Sequence, residues 1–193
     1  MKRFIPVLIL LLPSLFQAQS VLINSSFEGT PQDATMPVGW FGCQEGTTPD
    51  ILPGFWGVYT EASEGETYVG LITREDGTFE SIGQRLSAPL KAAECYELTL
   101  DLALSKTYTG YNNPLKIRVW GGSGKCGKQQ LLAESDVINH ADWKTYSFSF
   151  SPTTTVNYIT IEAFYKEGRF SYKGNILVDF IRPIDVCDRA YLD

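Results

Sequence analysis

Residues 96–104 read Tyr96-Glu97-Leu98-Thr99-Leu100-Asp101-Leu102-Ala103-Leu104, with an apolar side chain at every second position. Successive side chains of a strand point to opposite faces. The run therefore predicts a half-buried β-strand with its leucines in a core and Glu97, Thr99 and Asp101 in water. The same period of two recurs over residues 21–27, 56–59, 68–73, 80–86, 115–120, 145–150, 158–165 and 175–184, each bounded by turn residues. About nine strands and little helix predict an all-β fold, a two-sheet antiparallel β-sandwich. Residues 129–135 suit either a helical turn or a short edge strand.

Ahead of this pattern, Lys2 and Arg3 precede an apolar run over residues 4–16 and then Gln17-Ala18-Gln19-Ser20. A basic start, a short apolar run and small residues before a cut predict a secretory signal peptide over residues 1–20, with cleavage after Ala18 as the alternative. The run falls short of the ~20 residues that span a bilayer. Residues 21–193 suit a single domain with a core of its own. They hold no further long apolar segment, so no direct membrane insertion is expected.

The chain carries 16 basic and 22 acidic side chains, and loss of Lys2 and Arg3 leaves 14 against 22. Without a clustered basic patch, nucleic acid is excluded as a partner, because phosphate neutralisation needs grouped Lys and Arg. A neutral ligand such as a sugar suffers least from an acidic surface. The four cysteines, Cys43, Cys95, Cys126 and Cys187, all lie in the exported part, and an even count there favours two disulfides. Three pairings are open. If the strand that Cys95 begins and the strand that Cys187 follows are antiparallel neighbours, Cys95 pairs with Cys187, leaving Cys43 for Cys126.

Sugar recognition needs flat rings and polar groups held together. Trp120 falls in step with Lys116 and Arg118 and opposite Ile117 and Val119, so it is expected to face outward. Tyr108, Tyr111 and Asn113 share a polar loop. Arg74, Asp76 and Glu80 surround a turn, where Arg74 could fork onto vicinal hydroxyls; the plain alternative is a self-satisfied Asp-Gly hairpin. Trp56, beside Val58 and Tyr59, reads as core. For catalysis the single histidine, His140, leaves little room for Ser-His-Asp or Cys-His chemistry. No nucleotide loop or nucleophile elbow is present. A polysaccharide lyase using His140 with a tyrosine, or a glycosidase using paired carboxylates, is the enzymatic alternative.

The order of Asn24-Ser25-Ser26-Phe27-Glu28-Gly29, Pro37-Val38-Gly39-Trp40, Gly65-Glu66-Thr67-Tyr68-Val69-Gly70, Gln84-Arg85-Leu86-Ser87-Ala88-Pro89-Leu90, Tyr96-Glu97-Leu98 and Asn175-Ile176-Leu177-Val178-Asp179 resembles the galactose-binding-like superfamily. The likeness is closest to carbohydrate-binding modules of the 4/9/22 type and related exported domains of Bacteroidetes. It implies a jelly-roll topology, glycan binding through aromatic platforms, and a structural calcium with Glu28 and Asp179 as acidic ligands. The four cysteines depart from the general pattern of those modules. The expectation is a secreted, non-catalytic module that binds glycan or a cell-surface protein at Trp120, Tyr108, Tyr111, Asn113, Arg74, Asp76 and Glu80. A structural or adhesive domain of the cell envelope is the second expectation.

Overall fold

The computed structural model describes residues 19–166 and 170–187, so all of the expected leader but Gln19 and Ser20 lies outside the described residues. The strands are β1 (Phe41–Gly42), β2 (Asp50–Leu52), β3 (Tyr68–Thr73), β4 (Ser81–Leu90), β5 (Tyr96–Ala103), β6 (Asn113–Pro114), β7 (Lys116–Gly122), β8 (Gln130–Glu134), β9 (Lys144–Phe150), β10 (Val156–Phe164), β11 (Gly174–Asp179) and β12 (Asp185–Val186). One sheet runs β1-β4-β10-β7-β8, antiparallel throughout. The other has β9 and β11 on either side of β5, then β3 and β2, with β12 also on β5 and β6 parallel to β11. The architecture is the two-layer antiparallel β-sandwich expected.

The alternation in β5 explains why the layers meet as they do. Tyr96, Leu98, Leu100 and Leu102 join Val69, Leu71, Ile176 and Val178 from their own sheet and Ile82, Ile117, Val119, Ile159 and Ile161 from the other in one core. Burying each such side chain stabilises the fold by roughly 1.5–3 kcal/mol. β3 and β11 are buried on both faces, because Tyr68, Ile72 and Leu177 enter a second apolar cluster with Leu52, Val58, Ala103 and Tyr108 on the outer side of their sheet.

Three sequence expectations change. Residues 21–27 form no strand: Asn24 and Phe27 adopt left-handed backbone, with φ of 50° and 54°, and Ile23 is paired by the Gln84 side chain, whose Nε2 donates to the Ile23 carbonyl at 2.7 Å. Residues 56–59 are a loop instead of a strand, with positive φ at Trp56 and Gly57. The strand beginning near Asn175 stops at Asp179, where Phe180 turns with φ of 44°. Residues 129–135 resolve as the edge strand β8.

Both disulfides form as expected, Cys95 to Cys187 and Cys43 to Cys126. The first ties the start of β5 to the residue after β12, where the Cys187 N–H also donates to the Cys95 carbonyl at 3.0 Å. Ser20 is knitted into the sandwich: its N–H donates to Ile184, its carbonyl accepts from Ile184, and its hydroxyl donates to the Ala88 carbonyl at 2.7 Å.

Candidate functional site

The two sheets differ in what covers their outer faces. On the β4-β10-β7 side the Cys43–Cys126 bridge lies across the middle, with Cys43 Sγ 3.6 Å from the Thr160 hydroxyl. Gly83 makes this possible, since a Cβ there would stand 2.7 Å from Cys43 Sγ and 2.8 Å from the Phe41 ring. Around the bridge several charges are paired. Lys128 pairs with buried Glu162, Arg118 and Lys116 share Glu134, and the Arg118 guanidinium stacks 3.6 Å over Phe164. Burial raises the Glu134 carboxyl, but Lys116 and Arg118 outweigh it and hold it below the usual range. Trp120 lies on this face beside Thr160 and Leu131, half-buried, its indole N–H without a partner among the described residues.

The outer face of the β5-β11-β3-β2 sheet carries the second apolar cluster under residues 53–67 and 105–112, and here the covering leaves a cavity. A partly open space of about 160 Å³ is lined by Ala34, Thr48, Asp50, Trp56, Ile72, Arg74, Tyr108 and Tyr111. Tyr108 packs over Gly70, where a Cβ would meet its ring at 3.1 Å, and its hydroxyl donates to Asp50 Oδ2. Tyr111 packs edge-on against Tyr108, ring centroids 6.1 Å apart at 71°. Trp56 is 44% exposed at the cavity's edge. Its φ of 53° is one that residues other than glycine rarely adopt, and Thr109 fixes it by donating both N–H and hydroxyl to the Trp56 carbonyl, each at 2.9 Å. The expectation of a core Trp56 is thus corrected: Gly54 and Gly57, both at positive φ, turn the chain outward around it.

Two buried carboxylates underlie the cavity. Glu80 accepts from the Thr48 and Ile72 N–H groups and from Arg74 Nη2 at 2.8 Å, which fastens β3 to the segment before β2. Asp50 accepts from the Ala34 N–H at 2.7 Å and from Tyr108, with the Trp56 side chain also favouring its anion. Burial raises both carboxyls above their ordinary values. Burial and the Asp50 charge likewise push the Tyr108 phenol up, so it remains a donor.

Of the residues singled out from sequence, Arg74, Tyr108 and Tyr111 thus line one cavity, with Glu80 behind Arg74. Asp76 is spent on its own turn, accepting from the Thr78 N–H and hydroxyl. Asn113, in β6, donates to the Lys173 carbonyl at 2.7 Å and is not part of the cavity lining. Trp120 is on the opposite face of the sandwich. Sequence reasoning missed Asp50 and Trp56; the Pro53-Gly54 and Gly57 flanks of Trp56 were the available signal of a turn. His140 meets a tyrosine: Nε2 lies 2.8 Å from the Tyr146 hydroxyl and Nδ1 2.8 Å from the Asp142 carbonyl. A carbonyl only accepts, so Nδ1 is the donor to Asp142.

Glu28 and Asp179 converge on residues 63–67. Asp179 is buried and accepts from the Ser63 and Glu64 N–H groups at 2.8 and 3.0 Å, while Glu28 accepts from Glu66 at 3.1 Å. Burial, with a further push from the Glu28 charge, raises Asp179 to about 7. Neighbouring Asp101, expected in water, is instead buried and held low by Ser63, Arg182 and Thr145 against the cost of desolvation. Among the described residues no Lys, Arg or His pairs with Glu28 or Asp179, and no group of three His, Cys, Asp or Glu is clustered to hold a metal. Two hard oxygen donors with uncompensated charge fit a divalent cation in kind, with other oxygens needed to complete a shell.

No protein-family model matches the chain, and no curated protein does. Among solved structures, a cyclase from Fischerella sp. superposes with a TM-score of 0.58 at 16% identity, covering 89% of this chain and 98% of that one. The CBM22-1 xylan-binding domain from Paenibacillus barcinonensis gives 0.54 at 15%, covering 88% and 96%. The K3 cleaved adhesin domain of Lys-gingipain from Porphyromonas gingivalis gives 0.52 at 16%, covering 86% and 98%. The fold is that of these carbohydrate-binding and adhesin β-sandwich modules. At such identities the likeness is one of fold, and the ligand must be argued from the cavity.

Proposed function

We propose that the chain is a secreted, non-catalytic binding module that takes a carbohydrate, or another small polar group of a cell surface, in the cavity beneath Trp56. The observation that carries this reading is the exposed Trp56 ring, held by Thr109 in an uncommon backbone conformation at the edge of a polar cavity. Strained residues that their surroundings over-determine cluster at ligand sites. An exposed indole stacks on the apolar face of a sugar ring, while the carboxylate, guanidinium and phenols below satisfy hydroxyls. One small cavity implies modest affinity. Export is supported by the leader-like residues 1–20 and by two disulfides, which persist in oxidising compartments.

A glycan array followed by calorimetry tests the reading: Trp56→Ala is expected to lose tenfold or more in affinity, about 1.4 kcal/mol, without loss of fold. A silent array together with a stable complex recovered from cell envelopes would replace it with the adhesive reading. Polymer turnover lost in His140→Ala would replace it with an enzyme.

Calcium at Glu28 and Asp179 belongs to the same proposal. The cation would relieve the repulsion between the two carboxylates and lock residues 63–67 to the ends of the fold. A chelator is expected to lower the melting temperature, and an unchanged melt removes calcium from the account.

A further inference from the structure

The charges around the cavity do not balance. Asp50 is 6% exposed, and its partners are the Tyr108 hydroxyl, the Ala34 N–H and the Trp56 side chain, all neutral. Arg74, the one cation in the lining among the described residues, spends Nη2 on Glu80. Among the described residues no Lys, Arg or His pairs with Asp50, and Asp33 adds a second negative charge nearby. A buried carboxylate without a counter-charge is costly unless a ligand supplies one. The lining also holds three aromatic side chains, Trp56, Tyr108 and Tyr111. Ring faces are negative and attract cations, most strongly where water is displaced.

We infer that the cavity selects a ligand bearing an ammonium group, an amino sugar with a free amine in preference to a neutral or N-acetylated one, the nitrogen meeting Asp50 and the rings. This rests on the cavity being the ligand site. The volume holds one small ring or a compact quaternary amine and little more. Arg74 stays on the Glu80 side, where its Nη1 and Nε, which carry no hydrogen bond among the described residues, can donate to the ligand's hydroxyls.

The test is calorimetry with glucosamine in its protonated form, glucose, N-acetylglucosamine and tetramethylammonium. Glucosamine is expected to bind about tenfold or more tighter than either neutral sugar, and tetramethylammonium to compete with it. Asp50→Asn, which keeps an acceptor for Tyr108, is expected to erase the preference, glucosamine falling to the affinity that glucose has for the same variant. Should that variant fail to fold, added potassium chloride decides: it is expected to weaken glucosamine and spare glucose. If glucose or N-acetylglucosamine binds as tightly as glucosamine, and Trp56→Ala abolishes both, the ammonium inference falls and the binding reading stands. If Trp56→Ala changes nothing for any ligand, both fall.

Discussion

The two outer faces of the sandwich solve the same problem in opposite ways. On the β4-β10-β7 face, buried Glu162 meets Lys128 and half-buried Glu134 meets Lys116 and Arg118, and a disulfide clamps the middle. On the β5-β11-β3-β2 face, Asp50 and Asp179 are buried with neutral donors alone, one facing a cavity and the other facing Glu28. A face whose charges are settled internally has little to gain from a ligand. A face that keeps unpaired carboxylates buried gains from a cation or a polar guest, so exposure of aromatics alone is a poor guide to where binding occurs.

The contrast breaks most sharply at Tyr108. Tyr108→Ala removes a fully buried ring from the second cluster and the donor to Asp50, with an expected cost of about 3–5 kcal/mol in denaturant unfolding. Loss below about 1 kcal/mol would mean that this cluster is dispensable. On the other face, Cys43→Ser with Cys126→Ser opens a bridge between residues 83 apart in sequence, at an expected cost of about 2–4 kcal/mol. Calorimetry on that variant is expected to show unchanged ligand affinity, because the cavity lies behind the opposite sheet. Weakened binding would join the two faces into one site.

The next effect in size is pH dependence. Asp179 titrates at about 7 in the folded protein against an ordinary 3.8. A raised pKa means that the protonated form is favoured by the fold, so its contribution is full below about 3.8 and is lost as pH rises through 7. Without calcium, stability is expected to fall by a few kcal/mol across that window from this group. Calcium should recover the loss at the alkaline end, and Asp179→Asn should flatten the curve. The smallest effect is expected at Trp120→Phe, which removes an indole N–H that has no partner among the described residues; stability should move by less than about 1 kcal/mol and ligand affinity not at all. Lost affinity there would shift the site to the disulfide face.

Much of this was legible in the chain. The period of two in residues 96–103 gave β5 and its core face, and neighbouring termini of β5 and β12 explain why the expected cysteine pairs formed. Arg74, Tyr108 and Tyr111 were singled out from two separate segments and meet in one cavity. Trp56 was misread because its neighbours Val58 and Tyr59 look like strand, while the backbone rotation at Gly54, Trp56 and Gly57 is a property of the turn they make together. Asp50 was one acid among 22 in the full sequence, and nothing local marks which acid will be buried.

By itself the sequence determined the two-layer β architecture, since side-chain alternation is a local property that each strand carries with it. Tertiary structure alone decided which face stays open, because charge compensation depends on partners far apart in the chain: Lys128 reaches Glu162, and Arg74 reaches Glu80, whereas among the described residues no cation reaches Asp50. Burial and pairing are properties of three-dimensional neighbourhood, and they set where this fold can hold a ligand.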